Sequence, residues 1–168
     1  MALIERREAG AAAIEDRFTK VDDEAALPAG GGVIVSLSRF EGEKEALLAR
    51  DGELGVALES SESPAALAND LDRLAVVALD FPAFSDGRGF SSARLLRERY
   101  GYKGELRATG DVLLEQLAFM VRSGFNTFEI DDPKVLEEFA HVVGEVRVVY
   151  QPTGDGQTTA LQRRLRSG

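Results

Sequence analysis

The sequence predicts an α/β protein: about six alternating β-α units forming a parallel sheet, with barrel-like curvature favoured over an open doubly wound sheet. Three observations predict it. Short apolar runs alternate with amphipathic segments along most of the chain. The strongest run, Val76–Val77–Ala78–Leu79, is apolar at every position, as a strand covered on both faces is. The units are short and evenly spaced, which is what favours curvature over an open sheet.

The elements follow in order. Residues 1–32 form a peripheral arm: Asp22–Asp23–Glu24 is acidic, and Pro28 leads into the turn Gly30–Gly31–Gly32. The α/β domain spans 33–150. Val33 to Leu37 is a β-branched strand, and 39–50 an amphipathic helix around Ala46, Leu47 and Leu48. Gly55 to Leu58 is a second strand. Ser63 caps a helix whose first position is Pro64. Then come a strand over 75–81, a helix over 91–100, a strand over 105–109, a helix over 112–122 capped by Asp111 and ended by Gly124, and a strand over 125–130. Asp132–Pro133 opens a helix ending near Gly144, and 146–150 is the last strand. Residues 151–168 form a polar tail with Arg163, Arg164 and Arg166.

Composition narrows function. The chain of 168 residues carries a formal net charge of -9, so most of its surface repels nucleic acid and anionic membrane, and neither is expected as a partner. Cysteine is absent, which removes disulfides, thiolate metal sites and cysteine-ligated iron–sulfur clusters. No apolar run approaches the roughly 18 residues of a spanning helix, and no signal-peptide pattern opens the chain, so the expected address is cytoplasmic. The single histidine, His141, falls within a helix and reads as structural. Gly30–Gly31–Gly32 precedes a strand, so it is not a dinucleotide fingerprint, and no phosphate loop, cofactor motif or metal spacing is identifiable.

Ligands of parallel α/β folds bind where strands end. Three junctions carry candidate chemistry. The first, Asp80 to Ser91, is long and glycine-punctuated, and ends at a helix start capped by Ser91 or Ser92. Free N–H groups there, with Arg88 beside them, suit an oxyanion; Asp86 pairing with Arg88 is the structural alternative. The second places Arg107 and Asp111 around a strand end and a helix cap. The third puts Glu129 near a strand end, facing the others. From Asp80 to Gly110 there are six basic residues against four acidic ones, a net +2 island within a chain of -9.

The segment from Phe81 to Glu129 adds a resemblance. Its Asp86–Gly87–Arg88–Gly89, Gly104–Glu105–Leu106–Arg107–Ala108 and Gly124–Phe125 … Phe128–Glu129 blocks recur in order at close spacing. They resemble a bacterial family known as "probable oxidoreductase involved in sulfite reduction", whose gene often lies beside that of the sulfite reductase haemoprotein. The resemblance implies a role in assimilatory sulfite reduction. It marks Ser85, Asp86, Gly87, Arg88, Gly89, Arg94, Arg97, Glu105, Arg107, Gly110, Asp111, Arg122 and Glu129 as candidate functional positions, with no role assigned to any; of these Ser85, Asp86, Gly87, Arg88, Gly89, Arg94, Glu105, Arg107, Asp111 and Glu129, together with Ser91, are the candidate ligand-binding residues.

Three readings follow. The first is an accessory protein that binds a small oxyanion, or docks on the reductase, through the Asp86–Arg88 loop and Arg107. The second is a small barrel-like enzyme on an anionic metabolite, with Asp86, Asp111 or Glu129 as acid or base. The third is a purely structural partner.

Overall fold

The computed structural model describes residues 1–8 and 10–145. Within them lie eight strands: β1 (Ala2–Arg7), β2 (Gly10–Ile14), β3 (Phe18–Lys20), β4 (Gly32–Ser36), β5 (Leu54–Leu58), β6 (Val76–Phe81), β7 (Glu105–Gly110) and β8 (Thr127–Ile130). Five α-helices accompany them: α1 (Leu37–Gly42), α2 (Lys44–Ala49), α3 (Arg88–Arg94), α4 (Leu117–Ser123) and α5 (Val135–Glu145). All strands join one sheet in the order β2-β1-β8-β7-β6-β5-β4-β3.

From β4 onward β4 to β8 run parallel and in sequence, and the expected α/β alternation holds except between β5 and β6, where only 3-10 turns intervene. Two expectations need correction. The sheet is mixed, because β1 lies antiparallel against both β8 and β2. The described strands number eight, because residues 2–20, read as an arm, supply three of them. The physical reason is the edge of β8. Thr127, Phe128, Glu129 and Ile130 are all buried, so their backbone groups need strand partners, and Ala2 to Glu5 supply them. The strand expected over 146–150 and the tail over 151–168 lie outside the described residues.

Side-chain alternation gives the sheet two unlike faces. Val33, Val35, Val56, Leu58, Val77, Leu79, Phe81, Leu106, Ala108 and Phe128 point to the face the helices cover and form the main core. The other face holds only a small apolar cluster, Phe18, Ile34 and Val76 with Ala57 and Ala75 packed against it. Ala78 and Leu3 also face this side, and Asp80, Glu105, Arg107, Thr109, Thr127 and Glu129 give it its polar character.

That second face is concave, and the curl follows from geometry. Five steps in the sheet order separate β3 from β8. Flat strands about 4.8 Å apart would put them about 24 Å from each other. Yet Lys20 Nζ of β3 donates to Glu129 Oε2 of β8 at 2.7 Å. The sheet therefore bends into a half-barrel whose β3 edge faces β7 and β8 across the interior, in line with the curvature expected from the sequence.

Local cues mark several boundaries. Ser63 Oγ accepts from Ala65 N–H at 3.3 Å with Pro64 at the first position, although the segment forms a 3-10 turn (Pro64–Leu67) and not an α-helix. Gly124 ends α4 in the left-handed region. Gly110 closes β7 at φ +86°, where an added Cβ would lie 2.4 Å from the Phe81 carbonyl oxygen and 2.7 Å from Asp80 Oδ1. Gly110→Ala therefore costs about 1–3 kcal/mol in backbone strain before any clash is counted. Gly87→Ala, with no atom within 4 Å of the new Cβ, stays within about 0.5 kcal/mol of wild type. Urea unfolding of the two variants checks the contrast.

Candidate functional site

The concave face is organised around Arg107. The alternation of β7 turns Glu105, Arg107 and Thr109 inward, and that of β8 turns Thr127 and Glu129 to the same side. Arg107 is 1% exposed. Its Nη1 and Nη2 donate to the two Asp16 oxygens at 2.7 and 3.0 Å, a two-pronged fork. Its Nε donates to Glu105 Oε1 at 3.0 Å, and Nη1 reaches Glu129 Oε1 at 3.4 Å. Thr127 Oγ1 donates to Glu105 at 2.8 Å. The Phe18 ring lies 5.6 Å from the guanidinium carbon. One buried cation thus serves three carboxylates, and Lys20 supplies a second charge to Glu129.

The protonation states follow. Burial pulls Arg107 toward the neutral form, but its hydrogen bonds and charge contacts with Asp16 and Glu105 outweigh that and raise it above the ordinary guanidinium value. Burial likewise pushes Asp16 up. The hydrogen bonds from Arg107 and from Phe18 N–H, and the charge of Arg107, more than reverse this and hold it below the usual carboxylate range.

At the carboxyl ends of β3 to β7 the curl opens into a cleft of about 980 Å³. Lys20, Ser36, Asp80 and Thr109 line its floor, and Asp22, Asp23, Glu24, Glu59 and Glu62 its rim. Burial raises the Asp80 carboxyl above its ordinary value, the nearby charge of Glu59 adds to this, and a 3.5 Å hydrogen bond from Thr109 opposes it. The cleft is acidic, with Lys20 as the cation on its floor.

The loop after β6 is a second cluster. Asp86 Oδ1 accepts from Arg88 N–H at 3.1 Å and from Arg88 Nε at 3.0 Å, and Oδ2 accepts from Nη2 at 2.6 Å. Arg88, first through its side-chain hydrogen bonds, holds Asp86 well below the usual carboxylate range. Arg88 Nη2 also donates to Ser60 Oγ at 3.0 Å, which ties this loop to the one after β5. Gly89 lies against Phe81, where a Cβ would come within 2.5 Å of the ring. Ser85 is exposed.

Two expectations about caps are corrected. α3 begins at Arg88 with Gly87 at its N-cap, so Ser91 sits inside the helix and caps nothing. Its first turn is held instead by the Asp86 carboxylate. Asp111 does not cap a helix either; α4 begins at Leu117 after a 3-10 turn (Leu114–Gln116), and Asp111 Oδ2 accepts from Phe84 N–H at 2.9 Å.

Glu105, Arg107 and Glu129 are brought together. Ser85, Asp86, Gly87, Arg88 and Asp111 share the β6 loop region. Arg94 joins neither cluster and pairs with Glu98 at 3.3 Å. Arg97 is a buttress: it donates to the carbonyls of Gly124, Tyr102 and Gly104 at 2.9, 2.7 and 2.9 Å. Arg122 is buried in α4, and His141 is exposed on α5. Asp16 and Lys20 complete the Arg107 network but are not among the residues the sequence singles out. Their signal is the spacing of two in Asp16, Phe18 and Lys20, which puts all three on one side of an extended segment.

Because Asp16 ionises at a lower pH when folded than when unfolded, its stabilisation is present above about 3.8 and is lost as pH falls from there toward the folded value. Asp16→Asn therefore lowers stability at neutral pH and gives a shallower acid limb than wild type. Thermal melts from about pH 6 to about pH 3 read both effects.

Among the described residues no helix is long and apolar enough to cross a membrane. No group of three or more histidine, aspartate or glutamate side chains there is placed to hold a metal ion. No curated protein and no solved structure matches the chain. Residues 55–161 match a family described as a bacterial protein of unknown function, DUF934. That span contains Glu105, Arg107 and Glu129 of the buried network and the whole β6 loop, and leaves Asp16 and Lys20 outside. With well over half its length matched, the chain belongs to this bacterial family, DUF934.

Proposed function

We propose that the chain is a cytoplasmic accessory protein of assimilatory sulfite reduction that acts by docking on the sulfite reductase haemoprotein. The pathway rests on the block resemblance between Phe81 and Glu129. The choice of docking over oxyanion binding rests on one observation: the arginines suited to an anion are already engaged within the fold. Arg107 holds three carboxylates. Arg88 holds Asp86 and Ser60, Arg94 holds Glu98, and Arg97 holds three backbone carbonyls. An oxyanion at Arg107 would have to displace a carboxylate, and one at Arg88 would sit beside the Asp86 carboxylate that Arg88 already pairs, a repelling charge in either case. The acidic cleft offers a small anion no better place.

A second reading, a small enzyme, draws on the cleft itself. Its position at the carboxyl ends of parallel strands and the raised Asp80 carboxyl suit a proton acceptor or donor. The carboxylates expected for that role are occupied elsewhere, Asp111 by Phe84 N–H and Glu129 by Lys20 and Arg107.

The experiment pairs genetics with binding. A strain lacking the gene grows on sulfide but not on sulfite, and the purified chain co-elutes with the purified haemoprotein while giving no heat when sulfite or sulfate alone is titrated in. Normal growth on sulfite together with no complex contradicts the proposal. A saturable heat with sulfite alone returns the oxyanion reading to first place.

A further inference from the structure

We infer that the carboxyl end of the sheet is the docking face: Pro82–Ala83–Phe84 is its apolar anchor, the acidic rim of the cleft is its charged collar, and the partner surface it fits is a basic one with an apolar socket.

The anchor is an exposed apolar run held in place. Pro82, Ala83 and Phe84 are all exposed, and Phe84 is 54% exposed, the one aromatic among the described large apolar side chains left so open. Single exposed apolar residues are ordinary, but three in a row at a loop tip form a small patch. The backbone beneath is fixed on both sides. Phe84 N–H donates to Asp111 Oδ2 at 2.9 Å, and the Phe84 carbonyl accepts from Gln116 Nε2 at 3.3 Å. The loop ends at Asp86 N–H, which donates to the Ala83 carbonyl at 2.9 Å. An aromatic on a preorganised loop loses little further freedom on binding, and buried aromatics dominate protein–protein affinity.

The collar adjoins the anchor. Arg88 links the β6 loop to Ser60, which sits between Glu59 and Glu62 on the next loop. Asp22, Asp23 and Glu24 continue the rim on the far side of the cleft. A negative collar around an apolar tip selects a positive partner surface and speeds encounter, while the tip sets residence time. The neighbouring cleft leaves room for a partner side chain to enter.

The assignment rests on the docking reading above, and the test separates the two. Full-length protein is measured against immobilised, purified sulfite reductase haemoprotein at low and high salt. Phe84→Ser weakens binding at least about tenfold, mainly through faster dissociation, and melts at the wild-type temperature. The pair Glu24→Lys and Glu59→Lys slows association and flattens its salt dependence. Leu136→Ser, an exposed apolar change on α5, leaves binding unchanged. Wild-type binding that survives Phe84→Ser and the charge reversal undiminished overturns the face and leaves docking standing. No binding by wild type overturns both.

Discussion

A single buried guanidinium holds the half-barrel closed. Arg107 sits on the concave face with three carboxylates from three parts of the chain: Asp16 before β3, Glu105 beside it on β7 and Glu129 on β8. Taking these charges out of water is costly, and such a network contributes little net stability compared with apolar packing. What it imposes is geometry. The fork of Arg107 accepts Asp16 in one orientation, and Lys20 meets Glu129 only if the β3 edge comes across the interior. An apolar interior would allow many degrees of curl. A buried cation among carboxylates allows few, because each alternative leaves an uncompensated charge.

The rest of the architecture follows from that closure. With the curl set, the carboxyl ends of β3 to β7 surround one cleft, and the loops after β5 and β6 stand side by side at its rim, joined by Arg88 and Ser60. The described helices lie on the convex face, and the concave one carries polar residues that an apolar layer packed against it would exclude. The arginines that look like an anion site in the sequence are the tethers of this arrangement. Their work is internal, and what the molecule offers outward is an acidic rim and a fixed apolar tip.

Much of this was legible in the chain. Val33–Ile34–Val35 and Val76 to Leu79 are apolar at every position, and burial on both faces is what that pattern demands. The amino-terminal strands were not legible, for equally physical reasons. Four of the five residues of β2, Gly-Ala-Ala-Ala before Ile14, have little strand preference, and β3 is three residues long. Both are strands because a sheet edge needed partners, which is tertiary information. The Glu105, Arg107 and Glu129 candidates were found at strand positions, but their role depended on Asp16, 91 residues away from Arg107. Asp111 matched a helix cap by spacing, and tertiary contact redirected it to Phe84.

Hydrogen exchange in Arg107→Met measures the central claim most directly. If Arg107 holds the closure, amide protection collapses in β3 and at Val21, whose N–H bonds the Ile34 carbonyl, while β5, β6 and β7 keep near-wild-type protection. Protection lost evenly across the sheet, or retained in β3, would contradict it, because the curl would then be set by the apolar core and not by the buried charge.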